Sequence, residues 1–246
     1  MATAEDDPDA VTDSLANHVD GLRLDPFTFG VQERRGKKYL TIASPLGDAD
    51  VTAKLDVSPP PWLEPVQRMW VPMPIHARYG GVLPPVNCVR LEENIAEKIA
   101  RLNRTTTARD VYDLVWLWRN YRSHGSGFDT DLARRLAVLK IWIDTNGMHA
   151  HGAHWPPGHE GSIFDAQAWL RERSEQEFDR QDIGLLSAPP PRLADLALDL
   201  RTGYAFLAHL QPDEITVAAS RPADRSLVLA MISDLPTSRL MPGSLW

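Results

Sequence analysis

The hydrophobic period of this chain changes once, near Leu91, and that change narrows the architectures open to it. Before it, apolar residues alternate in twos. Phe27, Phe29 and Val31 lead into an Arg35-Gly36 turn, and Tyr39, Leu40 and Ile42 resume beyond it, which reads as a β-hairpin. Residues 51–57 are the cleanest alternation, with Val51, Ala53, Leu55 and Val57 on one face and Thr52, Lys54 and Asp56 on the other. After the change, Leu91, Ile95, Ile99 and Leu102 form one helical stripe, and Val111, Leu114, Val115 and Trp118 form another. A small mixed sheet followed by helices is an α+β arrangement, not a repeating βαβ fold. Residues 1–90 are therefore expected to form a sheet domain and residues 91–246 a mainly helical one.

Punctuation along the chain supports this order. Asp7-Pro8 caps an amphipathic segment carrying Ala10, Val11, Leu15 and Val19, and Gly21 ends it. Breaks at residues 45–48 and at Pro59, Pro60 and Pro61 bound the strands, and short extended pieces are expected at 69–71 and 86–89. Further helices are expected at 132–143, 163–178, 193–210, 213–219 and 224–235, the last capped by Asp224. Residues 147–161 form a loop rich in His, Gly and Pro.

Composition excludes several classes. No apolar run approaches the roughly 18 residues of a membrane span, and the acidic start is unlike a signal peptide, so a cytoplasmic protein without a membrane partner is expected. The single cysteine, Cys88, excludes an intramolecular disulfide and a cysteine-based zinc cage. A net charge of −7 means that any contact with nucleic acid is local. Two basic patches qualify: Arg34, Arg35, Lys37 and Lys38 around the turn, and Lys98, Arg101, Arg104 and Arg109 in the middle of the chain. Both also read as solvated surface.

Asp56, beside Lys54 on the polar face of a strand, is a candidate metal or proton site, although the pair also reads as an exposed salt bridge. Glu92-Glu93-Asn94-Ile95-Ala96-Glu97-Lys98, of the form E-x-x-x-A-E-K, is followed by Arg109-Asp110-Val111-Tyr112-Asp113-Leu114, of the form R-D-x-Y-D-L. On spacing alone these are helix decorations, with Glu97/Arg101 and Arg109/Asp113 placed as i, i+4 ion pairs.

Together, the two motifs resemble the paired signature of the AbiEii/AbiGii nucleotidyltransferase toxins. The resemblance implies a nucleotidyltransferase-like sheet followed by helices. It places nucleotide-phosphate contact on Lys98, fixing of the active-site geometry on Asp110, and a metal-binding carboxylate on Asp56 in the Lys-Leu-Asp-Val strand. Lys54, Arg101, Arg104 and Arg109 become candidate nucleotide or RNA contacts. It further implies Mg²⁺, an NTP donor, an RNA acceptor (above all the tRNA 3′ end) and an antitoxin-like partner protein. Nucleotidyl transfer needs such residue types, with carboxylates for the metal and cations for the triphosphate.

The family's Gly-Ser turn and Asp-x-Asp strand are not recognisable; Asp7-Pro8-Asp9 has the letters, but its proline suits a helix start. The resemblance thus implies that these elements lie upstream of Met1 and that the sheet is incomplete at its N-terminal side. The alternative reading is an inactive member that binds an antitoxin-like protein. His149, His151, His154 and His159 read as a polar loop or a metal cluster. Trp116 and Trp118, two residues apart on a helix, face different sides, so at least one belongs to the core.

Overall fold

The computed structural model describes residues 8–45, 50–55, 61–70, 74, 83–104, 107–123, 127–146, 163–171 and 191–236. Asp56, Asp7 and the four loop histidines, His149, His151, His154 and His159, lie outside the described residues. The chain divides into two compact units, Met1–Pro60 and Pro61–Trp246. The division falls before the expected boundary at residue 90, because Trp62 and Leu63 are buried and their backbone N–H groups donate to the Glu93 carboxylate at 2.7 and 3.0 Å.

In the first unit, helix α1 (Pro8–Val19) precedes strands β1 (Arg23–Leu24), β2 (Phe27–Arg34), β3 (Lys37–Ala43) and β4 (Val51–Lys54). The strands pair in chain order, and every pairing is antiparallel where a mixed sheet is expected from the sequence. The predicted hairpin closes through Arg35 and Gly36, both with positive φ (53° and 69°), as a two-residue turn matched to strand twist requires. Gly21, at φ 75°, turns the chain out of α1, and the Asp20 carboxylate accepts from Val31 N at 2.9 Å, which ties the helix end to β2. The alternation of residues 51–57 does mark a strand, but not a buried face. β4 ends at Lys54 and lies at the sheet edge, and Val51 is 62% exposed.

The second unit contains the two-stranded antiparallel pair β5 (Val66–Arg68) and β6 (Val86–Cys88), then helices α2 (Leu91–Arg104), α3 (Ala108–Ser123), α4 (Thr130–Thr145), α5 (Ala166–Trp169), α6 (Leu193–Gly203), α7 (Pro212–Ala218) and α8 (Arg225–Ser233). α2 packs on α3 and α4, α3 on α6, and α4 on α7. The predicted stripes are the packed ones: Ile95, Ile99 and Leu102 of α2, and Val111, Leu114 and Val115 of α3, are buried. Burial on this scale is the main stabilising term, at about 1.5–3 kcal/mol for each large apolar side chain. The buried aromatics also find polar partners. Trp169 Nε1 donates to Ile99 O at 3.1 Å, Trp142 Nε1 to Arg221 O at 3.1 Å, and the Tyr204 hydroxyl to Leu114 O at 2.9 Å.

The helix expected over 193–210 is interrupted after Gly203. Tyr204 leaves helical geometry and a 3₁₀ turn, Ala205–Ala208, follows. A Cβ on Gly203 would lie 2.5 Å from Trp118 Cγ, so glycine is what lets α6 approach α3. Asp224 stands at the start of α8 without capping it, because Arg221 Nε engages its carboxylate at 3.0 Å. Asp129 and Asp165 do cap α4 and α5, each accepting two backbone N–H groups. Of the helix expected over 163–178, α5 is described and residues 172–190 lie outside.

Candidate active site

The E-K motif lies on α2 and the R-D motif opens α3. Thr107 precedes α3 and its carbonyl accepts from Val111 N at 3.2 Å, which makes it the helix cap. Asp110 therefore stands in the first turn, where the helix dipole favours a carboxylate. Packing of α3 against α2 turns it towards Lys98.

Lys98 Nζ lies 3.1 Å from Asp110 Oδ1 and 2.7 Å from Asp113 Oδ2. Asp110 Oδ2 also accepts from Thr107 Oγ1 at 2.7 Å and lies 3.4 Å from Arg101 Nη1. The Asp110 side chain is 2% exposed and the Lys98 side chain 16%. Both carboxylate oxygens of Asp110 are thus engaged, so this residue holds others in place. Lys98 differs. An ammonium has three donors, two are taken by Asp110 and Asp113, and no third partner occurs among the described residues. Lys98, Arg101, Asp110 and Asp113 sum to zero charge, so the cluster supplies a fixed cation with a spare donor, not a broad positive field.

The i, i+4 pairs expected from spacing do not form. Asp113 turns from Arg109 to Lys98, and Glu97 turns from Arg101 to Lys140, 3.4 Å away on α4, because the neighbouring helices bring closer cations. Arg109 is exposed and has no ion-pair partner among the described residues. Arg104 is paired with Asp144 at 3.4 Å. Lys54 is exposed on β4, opposite Tyr39 in register. The structure therefore brings together Lys98, Arg101 and Asp110 of the expected residues. It adds Thr107, which lies outside both motifs, and Asp113, which spacing pairs with Arg109; the T-x-x-D interval from Thr107 to Asp110, a helix-start spacing, is the signal that points to the first.

A second cluster, not anticipated from the sequence, braces the same helix. The buried Glu93 carboxylate accepts from Trp62 N and Leu63 N, and Lys140 Nζ lies 3.2 Å from Glu93 Oε1 and 4.3 Å from the Trp62 ring centroid. Farther along α4, Arg134 pairs with Glu214 at 2.7 Å and Asp131 at 2.6 Å. Burial opposes its charge, but those bonds outweigh burial and hold the guanidinium above its ordinary pKa.

Among the described residues, no group of three or more His, Cys, Asp or Glu is arranged to hold a metal ion, and none of the described helices is long and apolar enough to cross a membrane. Asp110 and Asp113 do not fit as a Mg²⁺ site as they stand, because cations and a hydroxyl occupy their oxygens.

A family model described as the nucleotidyl transferase AbiEii toxin of type IV toxin–antitoxin systems matches residues 2–207. No curated protein matches the chain. Among solved structures, the nucleotidyltransferase toxin MenT4 from Mycobacterium tuberculosis H37Rv is similar, with a TM-score of 0.73 and 30% identity over 92% of this chain and 74% of that one.

Proposed function

This chain belongs to the AbiEii family of nucleotidyl transferase toxins, and from that premise we propose that it transfers a nucleotide from an NTP to an RNA acceptor, with the 3′ end of tRNA as the acceptor. In that reaction a 3′-hydroxyl oxygen bonds to the α-phosphorus, the bond between the α- and β-phosphates breaks, pyrophosphate leaves, and the hydroxyl proton is released. The observation that carries the proposal is Lys98. Its ammonium is held by two carboxylates, largely removed from water, and keeps one donor for a phosphate oxygen. Asp110 acts as a positioning residue: with Thr107 and Asp113 it fixes the lysine before substrate arrives, which removes a reorganisation cost at the moment of reaction. Arg101 and Arg109 supply exposed cations for RNA phosphates; Arg104, tied to Asp144, has the weaker claim.

Mg²⁺ dependence is part of the proposal and rests on the family's chemistry together with Asp56; no step is assigned to the metal on the described residues. An antitoxin protein is the proposed partner, since the family is one of toxin–antitoxin toxins. The test is incubation of the full chain with each labelled NTP, total tRNA and Mg²⁺, with omission of each component as control. Label in tRNA that requires all three supports the reading. Label absent from RNA but present in protein, or transfer unaffected by chelation of Mg²⁺, overturns the acceptor or the metal assignment respectively.

A further inference from the structure

α3 presents one face to solvent, and that face carries Arg109, Asp113, Trp116 and Asn120 at i, i+4, i+7 and i+11. Asp113 is the residue that reaches sideways to Lys98. Trp116 stands three residues farther on and is 49% exposed, while Trp118, on the opposite side, packs against the core. The Trp116 ring makes no hydrogen bond and no ring contact among the described residues; Asn120 Nδ2 bonds its backbone carbonyl, at 2.8 Å, and not the indole. An exposed indole one turn beyond the carboxylate that holds Lys98, in line with an arginine that has no ion-pair partner among the described residues, is a combination that core packing does not call for. Arg109 and Trp116 are seven residues apart, almost two full turns, so they lie on one line separated by about 10 Å of helix rise.

Alternation of a cation and an exposed aromatic ring is how proteins hold single-stranded nucleic acid: the cation meets the backbone and the ring stacks a base. We infer that Trp116 is the stacking platform for a terminal base of the RNA acceptor, with Arg109 meeting a phosphate on the same strand. This rests on the acceptor being RNA, and it adds where the acceptor end is held and why an unpaired end is preferred. Stacking is tolerant of base identity, so the Trp116 contact favours a frayed or single-stranded 3′ end over a paired one without selecting its sequence.

The experiment measures transfer kinetics for the full chain, Trp116→Ala, Trp116→Phe and Trp70→Ala, the last a control tryptophan that is 50% exposed elsewhere in the unit. Trp116→Ala is expected to raise the KM for RNA by about tenfold or more, leaving the KM for NTP and the melting temperature unchanged. Trp116→Phe is expected to recover most of the loss, and Trp70→Ala to have no effect. An unchanged KM for RNA in Trp116→Ala, or an equal rise in Trp70→Ala, overturns the inference. If the wild-type chain labels no RNA, the acceptor reading itself has failed. The stacking surface is then judged by equilibrium binding of a short single-stranded RNA to the same four proteins: selective weakening in Trp116→Ala supports it, and equal affinities overturn it.

Discussion

Ala16 is the one buried apolar residue described in Met1–Pro60, where Leu24, Phe27 and Val51 are exposed; Pro61–Trp246 buries Trp142, Tyr204, Leu136, Leu139, Leu196 and many more. The first unit is held by its antiparallel ladder and by α1 lying on β2 and β3, while the second is held by interlocked side chains. The difference bears on function because the Lys98 cluster stands on the densely packed unit. A lysine whose direction matters gains from rigid neighbours, and α2 is braced by α4 through Ile95 and Ile99 and by the Glu93–Lys140 pair.

Substitutions in the two units are expected to differ in cost. Trp142→Ala is expected to destabilise the helical unit by about 3–5 kcal/mol, because it leaves a cavity and an unpaired Arg221 carbonyl; denaturant unfolding followed by helix circular dichroism reads the loss, and a midpoint close to wild type would break the contrast. Gly203→Ala is expected to cost about 1–3 kcal/mol, since the added methyl meets the Trp118 ring. At the other extreme, Val51→Ala on the open edge strand is expected to stay within about 0.5 kcal/mol, read in the same unfolding experiment.

A pH series tests the packing of the second unit by another route. Burial raises the pKa of the Tyr204 phenol above the ordinary value of about 10. The folded form therefore keeps its proton where the unfolded chain releases it, so the contribution is complete below the unfolded pKa and is lost as pH rises beyond about 10. Thermal unfolding across this range is expected to show a steeper alkaline decline for wild type than for Tyr204→Phe. Parallel declines would mean that the phenol is not the responsible group.

The sequence made the helical unit legible because its stripes are long and regular: Leu91 to Leu102 and Val111 to Trp118 predicted which faces are buried. It was less informative where short elements meet. Residues 51–57 alternate cleanly, yet period alone does not distinguish an edge strand from a covered one. The resemblance of their motifs pairs Lys98 with Asp110, and the fold places the two 3.1 Å apart. Asp113 and Glu97 take partners that i, i+4 spacing does not predict, since that spacing describes one helix and the closer cations arrive from the next. Glu93 looked like one more surface acid, and only the fold reveals that it receives two backbone N–H groups and Lys140.

Lys98 is the proposed cation that meets the nucleotide. The most direct measurement is binding of labelled NTP to the full chain and to Lys98→Ala, with circular dichroism to verify the fold and Arg192→Ala, an exposed arginine paired with Asp195, as a control outside the cluster. Loss of NTP binding in Lys98→Ala alone, by about tenfold or more, is the predicted result. Equal NTP affinity in the folded Lys98→Ala chain would contradict it and would make the Lys98–Asp110–Asp113 cluster a helix brace.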